Sequence, residues 1–308
     1  MEFSPEFSGL KILITGANGF IGSRLYSFLA RSDAEVHAVS RIPQVTGVDP
    51  ARWWYGDLAE IETARTILSG AKPDVIFHLA GRAAGSRELK LVLPTFQSNV
   101  VTTINMLTVA AEVGCRRIVL PASLEEPDSP YAAAIASSPY AASKWAASAY
   151  ARMFHALYRS PVVITRIFLT YGPGPENQNK LVPYVIRSLL QGHSPKLTSG
   201  QRRIDWIYID DVIGGLLAAA LVPNIEGCTI DVGSGTLVSI RDLVEKIAQL
   251  VGAGVAPLFG ALPDRREEQS RIANITQARE TLGWTPMISL EEGLKRTVEW
   301  YRLQGAAC

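Results

Sequence analysis

The stretch Ser137 to Phe154, SSPYAASKWAASAYARMF, sets a tyrosine and a lysine four residues apart among alanines and serines. Both side chains carry protons, and almost nothing bulky surrounds them. If the stretch is helical, Tyr140 and Lys144 share one face, about 6 Å apart along the axis. A free phenol titrates near 10, so a neighbouring ammonium and the positive charge of a bound cofactor are needed to favour its phenolate and make it a usable acid or base. Just upstream, VLPASLEEPDSPY offers Ser123, whose hydroxyl can donate to a carbonyl or accept from an alcohol. Glu125 follows two residues on as a second base or an orienting group, with Glu126 as its rival.

A different chemistry is written near the start. LITGANGFIGSRL places Gly16, Gly19 and Gly22 after a strand-like run and at the opening of a helix-like one. Glycines there let backbone N–H groups approach a diphosphate at a helix N-terminus, where aligned dipoles favour an anion. The strand-turn-helix context gives the triplet a weight that a lone glycine motif lacks. At the end of the next strand-like run, VHAVSR, an acid would bind the ribose hydroxyl of NAD; this chain has Ser40 and then Arg41. A hydroxyl and a guanidinium suit a 2′-phosphate, which favours NADP(H), with NAD(H) as the alternative.

The elements that must position these groups alternate along the first half. KILITG reads as a strand, Ile21 to Ala30 as a helix and EVHAVS as a second strand. DVIFHLA and RIVLPAS read as later strands, with VVTTINMLTVAAEVG as a helix between them. Such alternation predicts βαβ units and a doubly wound parallel sheet. From Pro173 prolines, glycines and charges become common, Thr198 to Asp211 reads as loop and short strand, and ISLEEGLKRTVEWYRL carries a helical apolar stripe. The expected architecture is an α/β dinucleotide-binding domain over residues 1–172. A smaller C-terminal α/β substrate-binding lobe would occupy 173–308, with some segments returning to the first domain.

Composition excludes several classes. The chain has 308 residues, with 30 Lys+Arg against 29 Asp+Glu and a net charge of +1, so a nucleic-acid partner is not expected. Cys115, Cys228 and Cys308 are too scattered for a disulfide framework or a C-x-x-C pair. His37, His78, His155 and His193 form no metal-ligand spacing. The opening MEFSPEFSGL lacks the pattern of a signal peptide, and runs such as GGLLAAALV are too short to span a bilayer. The expectation is a cytoplasmic protein without a membrane partner.

The G-x-x-G-x-x-G spacing, and TGANGFIG in particular, resembles the extended branch of the short-chain dehydrogenase/reductase superfamily, the nucleotide-sugar epimerases, dehydratases and reductases. The resemblance runs from about Leu10 to Tyr301 and implies a Rossmann-type fold. YAASK is similar to its Y-x-x-x-K signature, which implies Tyr140 as general acid or base and Lys144 as holder of the nicotinamide ribose. Ser123 would then bond the reacting sugar oxygen. By the same resemblance Phe20 and Ile21 join the glycines against the cofactor, Asp57 and Leu58 in YGDLAE meet the adenine, and Leu79, Ala80 and Gly81 in FHLAG line the cofactor. His78 would be structural, and Asn99 would lie near the active site.

On the substrate side the resemblance implies Lys180 and Leu181 as nucleotide contacts, with Leu169 where the family often has an asparagine. GQRRIDWIYIDDV carries Ile204 at the family's arginine position, so Arg203 is the candidate substitute. In PDRREEQSRIANITQA, Arg266, with Arg265 second, would clamp the diphosphate. The dehydratases commonly carry Thr-Asp-Glu or Thr-Ser-Glu where this chain has Ser123, Leu124 and Glu125, which disfavours dehydration. The implied activity is oxidoreduction at C4 of a nucleoside-diphosphate sugar, foremost the NADPH-dependent reduction of a 4-keto-6-deoxy sugar. A 4-epimerase, or a 4,6-dehydratase, is the alternative within the family, and a non-catalytic dinucleotide-binding sensor is the alternative outside it. A homodimer through the Val100 to Val113 helix and the helix of Tyr140 is also implied.

Overall fold

Apolar β-branched runs in the first half become strands covered on both faces. The computed structural model describes residues 5–42, 52–83, 85–127, 134–174, 180–252, 254–265 and 270–305. Its strands are β1 (Lys11–Thr15), β2 (Glu35–Ser40), β3 (Arg52–Tyr55), β4 (Val75–His78), β5 (Arg117–Ser123), β6 (Val162–Ile167), β7 (Leu169–Tyr171), β8 (Arg203–Tyr208), β9 (Thr229–Val232) and β10 (Leu237–Ser239). Seven of them form a parallel sheet in the order β3-β2-β1-β4-β5-β6-β9, and a small sheet has the order β10-β8-β7. The fold is a Rossmann-like α/β fold with a smaller α/β lobe.

The helices are α1 (Phe20–Leu29), α2 (Ile61–Ala71), α3 (Val92–Phe96), α4 (Thr102–Val113), α5 (Pro139–Tyr158), α6 (Leu181–Leu190), α7 (Ile209–Leu221), α8 (Ile240–Val251), α9 (Ile275–Leu282) and α10 (Leu290–Gly305). Alternation along each strand splits the core in two. Ile12, Ile14, Phe77 and Val119 pack with Leu25 and Leu29 of α1 and Leu216 of α7 on one face. Leu13, Ile76, Ile118 and Leu120 pack with Ile67 of α2, Leu107 of α4 and Phe154 of α5 on the other. This period-two division is what a doubly wound sheet requires. A third cluster fills the smaller lobe, where Ile204, Trp206 and Tyr208 of β8 meet Val185 of α6, Leu243 of α8 and Leu294 of α10.

Several boundaries differ from those read in the sequence. The first helix starts at Phe20, with Gly19 as its N-cap. β9 lies far along the chain yet completes the large sheet beside β6. β7 precedes residue 173 but pairs with β8 in the small sheet. Asp210 and Asp211 open α7 rather than ending a loop. Cys115 is largely enclosed, and burial pushes its thiol up to about 11, whereas Cys228 is exposed and Cys308 lies outside the described residues. Among the described residues no helix is long and apolar enough to cross a membrane, and no group of three or more His, Cys, Asp or Glu could hold a metal ion.

The smaller lobe is fastened by a buried carboxylate. Asp205 of β8 is fully enclosed and accepts from the Ser234 N–H and hydroxyl, both at 2.7 Å, from the Gly235 N–H at 2.9 Å and from the Ala273 N–H at 3.0 Å. Removing it strands these donors. Asp205→Ala should destabilise the protein by about 3 kcal/mol in urea unfolding, and Asp205→Asn by a large part of that, because an amide replaces one acceptor with a donor.

Candidate active site

Ser123 is the last residue of β5, and Tyr140 lies in the first turn of α5. The helix begins there for a local reason. The Ser138 hydroxyl caps it by accepting from the Ala141 N–H at 3.1 Å, and Pro139 occupies the first turn, where a missing N–H is harmless. One turn of α5 places Tyr140 and Lys144 on one face, and the Tyr140 phenol lies near Ser123, whose hydroxyl favours its phenolate. Lys144 Nζ donates to the Pro121 carbonyl at 2.9 Å, which ties α5 to β5. Ser143 donates to the Tyr140 carbonyl and accepts from Asn99 Nδ2, both at 2.8 Å.

Burial dominates the electrostatics. Enclosure pushes the Tyr140 phenol up to about 12; Glu126 and Glu125 add to the rise, and the Ser123 hydrogen bond opposes it. The chain's own groups therefore do not acidify this phenol without the cofactor's positive charge, on which the sequence reading also called. Lys144 is itself lowered by burial, with Glu126 opposing, and its ammonium is turned to Pro121. His78, at the end of β4, is lowered to about 3 by burial and by Lys144, so it is neutral. Its Nδ1 lies 2.9 Å from the Thr15 hydroxyl, which also accepts from the Ala80 N–H at 3.0 Å. Glu126, 4% exposed, accepts from the Ser123 N–H at 2.9 Å and the Ser148 hydroxyl at 3.1 Å, which ties the end of β5 to α5.

The glycine turn fits a dinucleotide. Gly16 has φ +66°, and a Cβ there would lie 2.8 Å from the Ala80 nitrogen, so the turns after β1 and β4 approach closer than any side chain allows. A Cβ on Gly22 would overlap the Gly16 carbonyl. Gly19 caps α1 with no side-chain bond, which leaves the first N–H groups of α1 available to a diphosphate. Phe20 and Ile21 pack against the smaller-lobe cluster, and Gly174 lies against the Phe20 ring. Leu79 and Ala80 are half-buried beside the turn and Gly81 is exposed.

Other expected cofactor contacts have different surroundings. The Ser40 hydroxyl accepts from the Ile42 N–H at 3.1 Å and donates to its carbonyl at 2.9 Å, so it closes a turn at the end of β2, and Arg41 is exposed beside it. Leu58 is buried and Asp57 is exposed, accepting from the Ala59 N–H. Asn105 of α4, which the sequence reading missed, donates to the Leu58 and Ala59 carbonyls at 2.9 Å and fixes that turn. Asn99 lies in a π-helical turn, Gln97–Val101, and is buried. It accepts from the Arg82 N–H at 2.7 Å and donates to the Arg82 carbonyl at 3.1 Å, so it fastens the segment after Gly81 to α5.

On the substrate side Arg203 and its neighbour Arg202 have different partners. Arg203 is exposed and donates to the Leu237 carbonyl across the small sheet, because it is already paired in β8 opposite Ser239. Its neighbour Arg202, just before the strand, reaches Glu125 with Nη2 to Oε1 at 2.9 Å. Ile204 is core. Lys180 and Leu181 open α6 at its N-cap and first position. Arg266 lies outside the described residues. Arg265 donates to the Gly85 carbonyl at 3.3 Å and, with Arg87, Thr198, Leu262, Pro263 and Asp264, lines a cleft of about 550 Å³.

The profile of the NAD dependent epimerase/dehydratase family matches residues 12–233, well over half of the chain. The chain belongs to that family. A UDP-glucose 4-epimerase of Mycolicibacterium smegmatis is 31% identical over 322 aligned residues, covering 95% of this chain and 99% of the relative. A dTDP-glucose 4,6-dehydratase of Haemophilus influenzae is 26% identical, covering 95% and 98%. Among solved structures, MoeE5 in complex with UDP-glucose and NAD aligns with a TM-score of 0.84 at 29% identity, covering 96% of this chain and 99% of that one. The protein is thus an enzyme of the nucleotide-sugar epimerase/dehydratase family.

The neutral histidine at the end of β4 makes a prediction about acid stability. As pH falls below 6.5 the unfolded chain protonates this imidazole, while the folded protein resists until about 3. His78 therefore lowers stability progressively across that window. The midpoint of thermal unfolding should fall less steeply between pH 6.5 and 4 in His78→Asn than in the parent protein.

Proposed function

We propose that the protein is a nucleotide-sugar 4-epimerase acting on a UDP-hexose. The observation that carries this reading is the meeting of Ser123 at the end of β5 with Tyr140 in the first turn of α5, with Lys144 one turn away. The epimerase relative matched across nearly its whole length supports it. So does Leu124, which stands where the dehydratases commonly have an acid or a hydroxyl, together with a Glu126 engaged by Ser123 and Ser148.

A bound nicotinamide supplies a hydride acceptor and, on the return, a hydride donor. Tyr140, as phenolate, takes the proton of the C4 hydroxyl while the C4 hydrogen leaves as hydride, and it gives that proton back when hydride returns to the opposite face. Ser123 bonds the same sugar oxygen through both steps. Arg87 and Arg265 offer guanidinium groups to the diphosphate in the cleft they line. Substitution of Tyr140 by Phe should lower kcat by about a hundredfold or more while leaving binding of NAD largely intact. Conversion of UDP-galactose to UDP-glucose, followed by NMR with substoichiometric NAD, tests the reading. Stoichiometric consumption of NADPH with a 4-keto sugar would replace it by the reductase, and release of a 4-keto-6-deoxy product by the dehydratase.

A second reading concerns the cofactor. Arg41, exposed beside a serine rather than an acid, supports acceptance of NADP alongside NAD. Arg41→Ala should then weaken NADP binding about tenfold in calorimetric titration and leave NAD within about twofold. Equal losses for both cofactors would remove this reading. A homodimer fits the same enzyme: Leu93 and Phe96 of α3 and Trp145 and Tyr150 of α5 are exposed, and a second copy would cover them.

A further inference from the structure

The two carboxylates after Ser123 have opposite partners. Glu126 faces inward, bonded to the Ser123 N–H and to Ser148 of α5. Glu125 reaches the smaller lobe, where Oε1 accepts from Arg202 Nη2 at 2.9 Å; Oε2 accepts from the Ser137 hydroxyl at 3.4 Å. Arg202 is anchored on that lobe, since its carbonyl accepts from the Ile240 N–H at the start of α8 at 3.0 Å. The side chains of Arg202 and Glu125 are only 17% and 20% exposed. An ion pair so enclosed differs from the open surface kind, because removing one partner leaves the other's charge stranded.

The pair also touches the reacting groups. The Glu125 N–H donates to Ser123 Oγ at 3.2 Å, and that hydroxyl is the one beside Tyr140 that favours its phenolate. Both Glu125 oxygens are engaged, so neither stands bare to receive a proton from carbon. We infer that Arg202 is a positioning residue: from the smaller lobe it holds Glu125 as a fixed anion beside Ser123 and Tyr140 and keeps it from serving as a second base. The inference rests on the 4-epimerase reading for the reaction in which it is read out.

The charged groups around Tyr140 give it a signature. They are Glu125 and Glu126 on the β5 loop, Lys144 on α5, Arg202 across Glu125, and neutral His78 of β4 behind Lys144. Glu125 disfavours the phenolate, and the Arg202 guanidinium paired with it would offset that charge. The acid limb of kcat/KM against pH, where Tyr140 deprotonates, should move up by about half a pH unit or more in Arg202→Gln and down in Glu125→Gln. Arg202→Lys, which keeps the charge, should move it less than half as far, and the double variant should follow Glu125→Gln.

The experiment measures these profiles for UDP-galactose with NAD and, without either, a double-variant cycle in thermal unfolding, where the double variant should lose no more than the worse single one. An unmoved profile in Arg202→Gln with a raised KM would make Arg202 a substrate ligand and overturn the inference. So would abolished turnover in Glu125→Gln, which would make Glu125 itself the base, or additive losses in the unfolding cycle. Failure of the parent protein to turn over UDP-galactose overturns the epimerase reading instead, and the unfolding cycle then decides the coupling by itself.

Discussion

The reacting groups depend on the side-by-side parallel pairing of β1, β4 and β5. Parallel strands bring their carboxyl ends to one edge, and the strand order reverses between β1 and β4, where a crevice opens. The glycine turn leaves β1, the Leu79 to Gly81 turn leaves β4, and Ser123 ends β5. Register holds them together: Thr15 sits opposite His78, and Phe77 opposite Val119. A slip of one residue would turn Ile76 to the wrong face and carry Ala80 away from Gly16. The site is therefore specified by the same alternation that builds the two cores.

Packing this edge closely has an electrostatic consequence. Enclosure disfavours every charged form, and it raises Tyr140, lowers Lys144 and keeps His78 neutral. The chain offsets part of this with fixed partners, the Pro121 carbonyl and Glu126 for Lys144 and the Ser123 hydroxyl for Tyr140. These partners hold geometry more than they hold charge. The phenol stays protonated on the chain's own terms, so a positive ring laid against it would be what tips the balance.

Local signals were legible in the sequence, and distant ones were not. Gly16, Gly19 and Gly22 announce a tight turn because a side chain at Gly16 would strike Ala80 and one at Gly22 would strike the Gly16 carbonyl. Ser138 and Pro139 announce the start of α5, and with it the common face of Tyr140 and Lys144. Asn105, Asp205 and Arg202 carried no such mark, since their partners lie 46, 68 and 77 residues away. The choice between Arg202 and Arg203 turned on one residue of strand pairing. Arg203 is inside β8 and is drawn along the small sheet, while Arg202 remains outside and can reach Glu125. Ser40 shows a related effect: residue type suggests a phosphate contact, and in the structure the hydroxyl at the strand end closes its own turn.

The smaller lobe has a sheet of only three strands, which cannot by itself order the segments that form the cleft. Aspartates do much of that ordering. Asp205 gathers Ser234, Gly235 and Ala273; Asp231 of β9 accepts from Arg166 and the Asn274 N–H; Asp211 accepts from the Met287 and Ile288 N–H groups at 2.9 Å. Burial raises Asp211, and those two N–H groups oppose it, which shows the penalty and its offset at one residue. Such carboxylates are poor sources of net stability but strict sources of geometry, since each accepts only a narrow arrangement of donors. Through Asp205, the strand that follows Arg202 is tied both to the turn after β9 and to the segment before α9. The reach of Arg202 to Glu125 is thereby set by the large sheet, on which β9 itself is built.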